Sequence, residues 1–228
     1  MIHVHKKECD STQDLAASLT ADSNESLLVS CEKQVKGAGQ RGRKWISADQ
    51  SLALSFNARP AEIYTLTSLE MAVLAKKFIW ERFKKEVLFK WPNDLYTKER
   101  KKCGGILIQG QTDRLIIGIG LNLFLRTKTA PEELKDKIAG ILDHKTDIDI
   151  KESSFQFYSF VADNRLPANL IKCLWLQSCV HLNRKVKILE GGKSIEGVFM
   201  GLGNNGQCLL KTSKGLSEFY SASLIIDP

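Results

Sequence analysis

The densest candidate chemistry in the sequence lies in a segment rich in glycine and basic residues. Residues 37–45 read Gly-Ala-Gly-Gln-Arg-Gly-Arg-Lys-Trp. Closely spaced glycines let the backbone approach a ligand, the basic side chains can bind phosphate or carboxylate, and the Trp45 ring can cover a purine. The segment is not a Walker A loop, because no Gly-Lys-Ser/Thr ends it. Taken alone, it is equally compatible with a flexible basic loop.

A second motif, Lys-Trp-Pro-Asn-Asp, occupies residues 90–94. Proline interrupts a strand-like run, which should end the strand and present Asn93 and Asp94 at its tip. Asp94 could hold Mg²⁺, which prefers few carboxylates together with phosphate oxygens and water. The alternative is a buried Trp91 beside an Asx turn.

Two further motifs follow. Lys102 precedes a Gly-Gly pair and an apolar strand, where its ammonium could act as a point charge on a phosphate. The alternative is a solvated charge run over residues 98–102. Residues 118–122 read Gly-Ile-Gly-Leu-Asn, where glycines allow close approach and Asn122 can donate and accept hydrogen bonds.

Hydrophobic periodicity and turn residues predict the elements that must position these motifs. We expect strands at 2–7, 27–29, 51–57 and 87–96, the last interrupted by Pro92, and a hairpin of 106–108 with 115–119. We expect helices after Asp10-Ser11-Thr12, from about Thr67 with a Thr67/Glu70 capping box, over 131–142, and over 153–179 with a break near Pro167. In the second helix, Leu66, Leu69, Val73, Trp80 and Phe83 should share one buried face.

After His181 the sequence predicts short strands at close spacing, separated by glycine-containing turns, as in a small β-barrel. The expected organisation is therefore a domain of residues 1–180 and a second domain of residues 181–228. About 48 residues form a small independent core, so the second domain should pack on the first.

Composition narrows the class of protein. The 228 residues include 33 Lys+Arg and 26 Asp+Glu, a net charge of +7, with 43% hydrophobic residues. This amino-acid composition is ordinary for a globular protein. The sequence has no apolar run long enough to span a membrane and no secretory signal at its start. The excess positive charge indicates an anionic partner. The six cysteines lack metal-site spacing, which favours reduced, mostly buried thiols in the cytoplasm.

Together and in this order, the four motifs resemble the bacterial biotin–protein ligases. That family carries Gly-Arg-Gly-Arg-x-Gly-Arg-x-Trp, Lys-Trp-Pro-Asn-Asp, Lys-x-x-Gly-Ile-Leu and Gly-x-Gly-x-Asn, and the likeness extends over essentially the whole chain. It implies an α+β fold, in which helices flank a mixed β-sheet of the class II synthetase type and an SH3-like β-barrel follows. About ten residues precede the first helix, so we expect the monofunctional type, without a DNA-binding domain.

The resemblance implies that the protein joins biotin to AMP from ATP, with Mg²⁺, and transfers the biotinyl group to a lysine of a biotin carboxyl carrier domain. No DNA or membrane partner and no tightly bound cofactor is implied, and a homodimer is compatible with it. By resemblance, Lys102 and Asp94 are the catalytic residues, with Asp94 also on the Mg²⁺ side. The implied biotin-binding residues are Ser11, Thr12, Gln34, Gly37, Ala38, Gln40, Gly105 and Leu107. The implied ATP or adenylate-binding residues are Arg41, Arg43, Trp45, Lys90, Asn93 and Asn122.

This chain departs from the family pattern at several positions. Ala38 and Gln40 stand where two arginines are usual, Gln13 where Asn usually follows Ser-Thr, and Gln109 where Glu often ends the Gly-Ile-Leu strand. Glutamine at position 40 keeps hydrogen bonds but loses a charge, so we expect weaker retention of the acyl-adenylate.

Three alternatives remain at this point. A lipoate or octanoyl ligase or transferase shares the fold but usually carries an Arg-Arg-x-Ser-Gly-Gly-Gly loop that this sequence lacks. A basic nucleic-acid-binding module would explain the charge but not the Lys-Trp-Pro-Asn-Asp motif. A ligase fold without activity would be compatible with Ala38 and Gln40.

Overall fold

The larger part of the chain is built on a seven-stranded mixed sheet. The structure is a computed structural model, described over residues 1–20, 25–110, 114–126, 128 and 130–226. The strands are β1 (Ile2–Cys9), β2 (Leu27–Gln34), β3 (Gln50–Ala58), β4 (Leu88–Lys90), β5 (Asp94–Tyr96), β6 (Lys102–Gln109) and β7 (Leu115–Phe124). Their order is β1-β2-β3-β7-β6-β5-β4, with β1 and β2 parallel and the other neighbours antiparallel. The predicted mixed sheet is therefore confirmed.

Helices cover both faces of this sheet. The helices are α1 (Thr12–Thr20), α2 (Thr67–Phe83), α3 (Ile150–Asp163) and α4 (Ala168–Gln177). On one face, Ala16 of α1 packs with Leu27 and Val29 in a small cluster. Neighbouring Leu28 belongs to the main core with α2, α3 and α4, because successive strand residues point to opposite faces. The break between α3 and α4 falls near Pro167, as predicted.

The run over residues 87–96 forms a tight hairpin rather than one interrupted strand. Leu88 pairs with Tyr96 and Lys90 with Asp94, so β4 and β5 are antiparallel. The turn between them contains a cis bond between Trp91 and Pro92. The predicted hairpin of β6 with β7 is also present, with Gly105 opposite Gly120. Part of its turn, at residues 111–113, lies outside the described residues.

The helix predicted for residues 131–142 is wrong. Only a 3-10 turn forms, at Glu132–Leu134. The chain then runs alongside the sheet: the Lys102 N–H donates to the Lys137 carbonyl, and the Ile141 N–H donates to the Asn122 carbonyl. Gly140 lies so close to Phe124 and Leu125 that a side chain would clash. Hydrogen bonding to strand ends therefore prevails over local helix propensity.

The predicted capping box of α2 is also wrong. Thr67 Oγ1 accepts from the Ala61 N–H, while the buried Glu70 carboxylate accepts two bonds from Arg165 and one from the Leu166 N–H. Glu70 thus ties α2 to the segment between α3 and α4 instead of closing its own helix end. Trp80 is half exposed rather than part of the buried face.

The C-terminal residues form a second, antiparallel sheet. Its strands are β8 (Lys185–Glu190), β9 (Lys193–Leu202), β10 (Cys208–Thr212), β11 (Gly215–Phe219) and β12 (Ser223–Ile226), in the order β11-β10-β9-β8-β12. Buried Phe199, Leu210 and Leu224 belong to the same hydrophobic cluster as α2 and the first sheet. The indole N–H of Trp91 also donates to the Gly206 carbonyl at 3.1 Å. The second sheet therefore packs on the first unit, whereas the boundary at residue 180 stays a prediction.

Within the described ranges, no helix is both long enough and apolar enough to cross a membrane. All six cysteines are free thiols, as predicted. Three of them are buried (Cys31, Cys103 and Cys208), Cys9 and Cys179 are partly buried, and Cys173 is exposed.

Candidate active site

All four sequence motifs meet at a cavity beside β6 and β7. Its volume is about 480 Å³, including the part that is open to solvent. Its wall comes from the start of α1, the glycine-rich segment, and the middle of β6 and β7. The lining residues are Ser11, Thr12, Gln13, Gln34, Ala38, Gly39, Gln40, Trp45, Ser55, Asn93, Lys102, Gly105, Ile106, Leu107, Gly118, Ile119 and Gly120. We call this the first cavity.

One end of the first cavity carries a fixed set of polar groups. The backbone N–H and hydroxyl of Thr12 both donate to Gln34 Oε1, at 2.8 and 3.1 Å. Because a backbone N–H can only donate, the atom of Gln34 that faces it must be the oxygen. The Thr12 hydroxyl has then used its proton, so the Ser55 hydroxyl at 2.9 Å donates to it. Ser11 lies beside them and accepts from the Asp14 N–H.

The Trp45 ring packs closely against the strand residue Gly120. A Cβ on Gly120 would come 2.8 Å from the Trp45 ring, so only glycine permits this contact. The ring reaches this position because the segment folds back on itself, with the Trp45 N–H donating to the Gly37 carbonyl. The indole thus forms a wall of the first cavity and also borders a second one.

The second cavity is basic. Its volume is about 600 Å³, and it shares Gly39, Gln40, Trp45, Asn93 and Lys102 with the first, so the two are joined. Its other lining residues are Arg41, Arg43, Lys44, Lys90, Trp91, Pro92, Asp94, Ala222, Ser223 and Leu224. Several cations converging on one space suit a polyanionic ligand such as a nucleotide phosphate chain.

Lys102 stands where the two cavities meet, and Asp94 holds it there. Lys102 Nζ is 2.5 Å from Asp94 Oδ1, and Lys90 Nζ is 3.8 Å from Asp94 Oδ2. Lys90 and Asp94 have only 16% and 15% of their side chains exposed. Burial lowers the pKa of Lys90, with Asp94 opposing this effect and the charges of Lys102 and Arg43 adding to it. One carboxylate therefore anchors two ammonium groups in a partly desolvated site.

Residues of the C-terminal sheet help to line the second cavity. None of the sequence motifs indicated this contribution. Arg41 donates to the Ser221 and Ser223 hydroxyls at 3.2 Å, and Arg43 donates to Ser223 at 2.8 Å. Arg41 has a positive φ of 58°, a conformation uncommon for a residue with a side chain. A Ser-Ala-Ser run near the chain end carries no recognisable sequence signal, so only the packing of the two sheets identifies it.

Most of the predicted site residues line one of the two cavities, and two of them, Gly37 and Asn122, line neither. Gly37 is not part of the lining but supports it, since a Cβ there would contact Trp45 and Gln34. Asn122 is buried behind the site and lines neither cavity. Gln13 lines the first cavity, although the sequence indicated it only as a departure from the family pattern. Cys103 lies beside Lys102, but burial raises the pKa of its thiol to about 12, which disfavours a nucleophilic thiolate.

Asp94 is the candidate metal ligand of the second cavity. In the part of the chain that the structure describes, no group of three His, Cys, Asp or Glu side chains could hold a metal ion. A single carboxylate is nevertheless compatible with Mg²⁺ that arrives bound to phosphates. Asp94 as a magnesium ligand stays a prediction.

The first cavity has a polar end and is joined to a basic cavity, and Lys102 lies between them. This arrangement is typical of an enzyme that brings a small acid together with a nucleotide. A model of the biotin/lipoate A/B protein ligase family matches residues 7–122. The chain belongs to this family.

Its relatives agree with this assignment. The bifunctional ligase/repressor BirA of Bacillus subtilis is 30% identical over 239 residues, which cover 94% of this chain and 70% of that protein. The biotin–[acetyl-CoA-carboxylase] ligase of Paracoccus denitrificans is 23% identical, with 94% and 96% covered. Among solved structures, the biotin protein ligase from Aquifex aeolicus in complex with biotin and ATP is 28% identical, covers 99% of both chains and has a TM-score of 0.83. These neighbours confirm the mixed α+β fold with a C-terminal antiparallel sheet.

Proposed function

We propose that this protein is an ATP-dependent biotin–protein ligase, which attaches biotin to a lysine of a biotin carboxyl carrier domain through biotinyl-5′-AMP. The observation that carries the proposal is the position of Lys102 where the polar-ended cavity meets the basic cavity. Biotin would occupy the first cavity and ATP the second. The similarity to an Aquifex aeolicus ligase in complex with both compounds supports this assignment.

In the first step, a biotin carboxylate oxygen attacks the α-phosphorus of ATP, and the bond to the β-phosphate oxygen breaks. Pyrophosphate leaves and biotinyl-AMP forms. Negative charge concentrates between the carboxylate and the phosphate, where the Lys102 ammonium stabilises it electrostatically without transferring a proton. The Asp94 carboxylate, 2.5 Å away, keeps this ammonium in place.

In the second step, the amine of the acceptor lysine attacks the acyl carbon of biotinyl-AMP. An amide bond forms, the acyl–oxygen bond breaks, and AMP leaves while the amine proton is released. The acyl carbon would lie near Lys102, close to the shared opening of the two cavities. The net charge of +7 would attract an acidic carrier domain.

The individual residues have distinct proposed roles. Ser11, Thr12 and Gln34 bind the polar end of biotin, and Gly105 and Leu107 lie along its length. Arg41, Arg43 and Lys90 bind the phosphates, and Trp45 separates the two ligands rather than covering adenine alone. Mg²⁺ would enter as the Mg–ATP complex, adjacent to Asp94. We propose a cytoplasmic location, where ATP and carboxylases are available.

The polar end of the first cavity favours biotin over lipoate or octanoate. Those acids end in a dithiolane ring or an alkyl chain, which would leave the donors and acceptors of Ser11, Thr12 and Gln34 without partners. Buried unpaired polar groups cost about 1–3 kcal/mol each. The biotin ring, which carries a urea, can satisfy them.

The test is incubation of the protein with biotin, Mg–ATP and a biotin carboxyl carrier domain, followed by mass spectrometry. We expect one biotin mass increment on one lysine, and none on a carrier whose target lysine is replaced by arginine. Octanoate or lipoate in place of biotin is the matched control for specificity. Modification with those acids but not with biotin would contradict the proposal, as would salt-sensitive nucleic-acid binding without any biotin-dependent pyrophosphate exchange.

A further inference from the structure

Gln13 presents an unused hydrogen-bond acceptor at the polar end of the first cavity. Its side-chain Nε2 donates to the Ile116 carbonyl at 3.0 Å. Since a carbonyl only accepts, the atom that faces it must be the nitrogen, which fixes the amide orientation. Gln13 Oε1 is then directed elsewhere and has no hydrogen-bond partner, although the residue is only 3% exposed.

The neighbouring strand leaves room for this oxygen. A Cβ on Gly118 would lie 2.4 Å from Gln13 Oε1, so any other residue at position 118 would displace the amide. The Nε2 hydrogen bond therefore fixes the amide, and Gly118 in β7 leaves the space that its oxygen occupies. Buried polar atoms normally have hydrogen-bond partners. Because Gln13 lines the first cavity, its unpaired oxygen indicates that a ligand supplies the missing donor.

The surrounding groups define the chemistry of that ligand. Gln34 Oε1 accepts from Thr12, which leaves the Gln34 Nε2 group as a donor. Thr12 Oγ1 donates to Gln34 and accepts from Ser55, which leaves one lone pair as an acceptor. The Ser11 oxygen accepts from Asp14, which leaves its proton available. The cavity end thus offers two donors, Ser11 and Gln34, and two acceptors, Thr12 and Gln13.

We propose that Gln13 is a specificity-determining residue, whose Oε1 accepts a hydrogen bond from one N–H group of the ligand's cyclic urea. A cyclic urea has one carbonyl flanked by two N–H groups, so it needs donors at its centre and one acceptor on each side. Thr12 and Gln13 supply the acceptors, and Ser11 and Gln34 supply the donors. The inference rests on the proposed function, because it names how the ring of biotin would be selected.

The experiment compares ligands that lack one urea N–H group with ligands that keep both. Binding of biotin, desthiobiotin and the two ring-N-methylated biotins is measured by calorimetry for the wild type, Gln13→Met, Gln13→Asn and the exposed control Gln177→Met. We expect Gln13→Met to weaken biotin and desthiobiotin alike, on the order of tenfold to a hundredfold, because both retain both N–H groups. For one N-methyl isomer, the same substitution should change affinity by less than about twofold, since the donor is already absent.

A merely structural role gives a different result, because it would weaken all four ligands by the same factor. That outcome, or unchanged biotin binding in Gln13→Met, overturns the inference. Gln13→Asn, whose shorter side chain withdraws the oxygen, should show the same ligand pattern and provides the test if Gln13→Met does not fold. Failure of the wild type to bind biotin would instead overturn the proposed function itself.

Discussion

Lys102 Nζ and Asp94 Oδ1 are 2.5 Å apart at the junction of the two cavities. The two residues come from the neighbouring strands β6 and β5. Lys102 pairs with Tyr96 and Asp94 with Gly105, so the long lysine side chain spans this offset to reach the carboxylate. Asp94 also faces Lys90. The arrangement keeps two positive charges close together in a partly buried site without leaving them unpaired.

Replacement of Lys102 by alanine should reduce the rate of biotin-dependent pyrophosphate exchange. Its charge acts mainly on the transition state, so we expect kcat to fall on the order of 10²–10³-fold while the KM for biotin changes little. Steady-state exchange kinetics provide the measurement. Lys101→Ala is the matched control, because Lys101 pairs with Asp136 outside the cavities. Equal effects of the two substitutions would contradict the assigned role.

Gln40→Arg should retain biotinyl-AMP more tightly. Gln40 lines both cavities, and an arginine there could make a charge-assisted bond to the adenylate. The gain of about 1 kcal/mol corresponds to roughly fivefold slower release. Stopped-flow dissociation of biotinyl-AMP measures this rate, and unspecific labelling of added lysines should fall in parallel. Wild-type release already as slow as that of the variant would show that Arg41 or Arg43 has taken over this role.

Lys90 should be a functional residue that does not stabilise the fold. Burial lowers its pKa, so the unfolded chain binds the proton more tightly than the folded protein does. Stability should therefore rise as pH rises through the window between the lowered pKa and the ordinary value. Lys90→Met should not lower the free energy of unfolding at pH 7, whereas it should raise the KM for ATP on the order of tenfold. Denaturant unfolding tests the expectation for stability, and pyrophosphate-exchange kinetics test the expectation for the KM for ATP. The exposed Lys84→Met is the control for both measurements.

His181 should make the fold sensitive to acid. It is fully buried against Trp175 and Phe199, and burial lowers its pKa to about 3. Between that value and its ordinary value of 6.5, the unfolded chain binds a proton that the folded protein does not. Its contribution to stability is therefore present above pH 6.5 and lost as pH falls, by about 1.4 kcal/mol per pH unit.

The check is denaturant unfolding as a function of pH. His181→Phe keeps the aromatic packing and should flatten the pH dependence of stability below pH 6.5. The exposed His144→Phe should leave that dependence as in the wild type. Parallel curves for His181→Phe and the wild type would contradict the prediction.

Arg165→Ala should be strongly destabilising. Glu70 is fully buried, and its two carboxylate oxygens accept from Arg165 at 2.8 and 2.7 Å. Loss of the arginine leaves an uncompensated buried charge, which costs about 3–5 kcal/mol. In contrast, Lys33→Ala removes an exposed pair with Glu8 and should cost less than about 1 kcal/mol. Urea unfolding of both variants measures the difference.

Much of the site was predictable because its motifs are local. Short runs whose residue types restrict their chemistry contain Lys102, Asp94 and Trp45, and these residues do meet at the two cavities. Gln34 was implied only by the family resemblance, and it lines the first cavity. Asn122 was predicted by the same reasoning but lines neither cavity. A motif gives the position of a residue along a strand, whereas access to a cavity depends on what packs over it. Here the chain around Ile141 pairs with that end of β7.

The sequence by itself determined the positions of most strands, the break near Pro167 and the chemical character of the motifs, because these depend on neighbouring residues. Only the tertiary structure decided that residues 131–142 run beside the sheet, that Glu70 pairs with Arg165, and that Ser221 and Ser223 reach Arg41 and Arg43. Each of these features joins segments distant in sequence. Such contacts form only when burial of a shared core brings the segments together, so no local pattern encodes them.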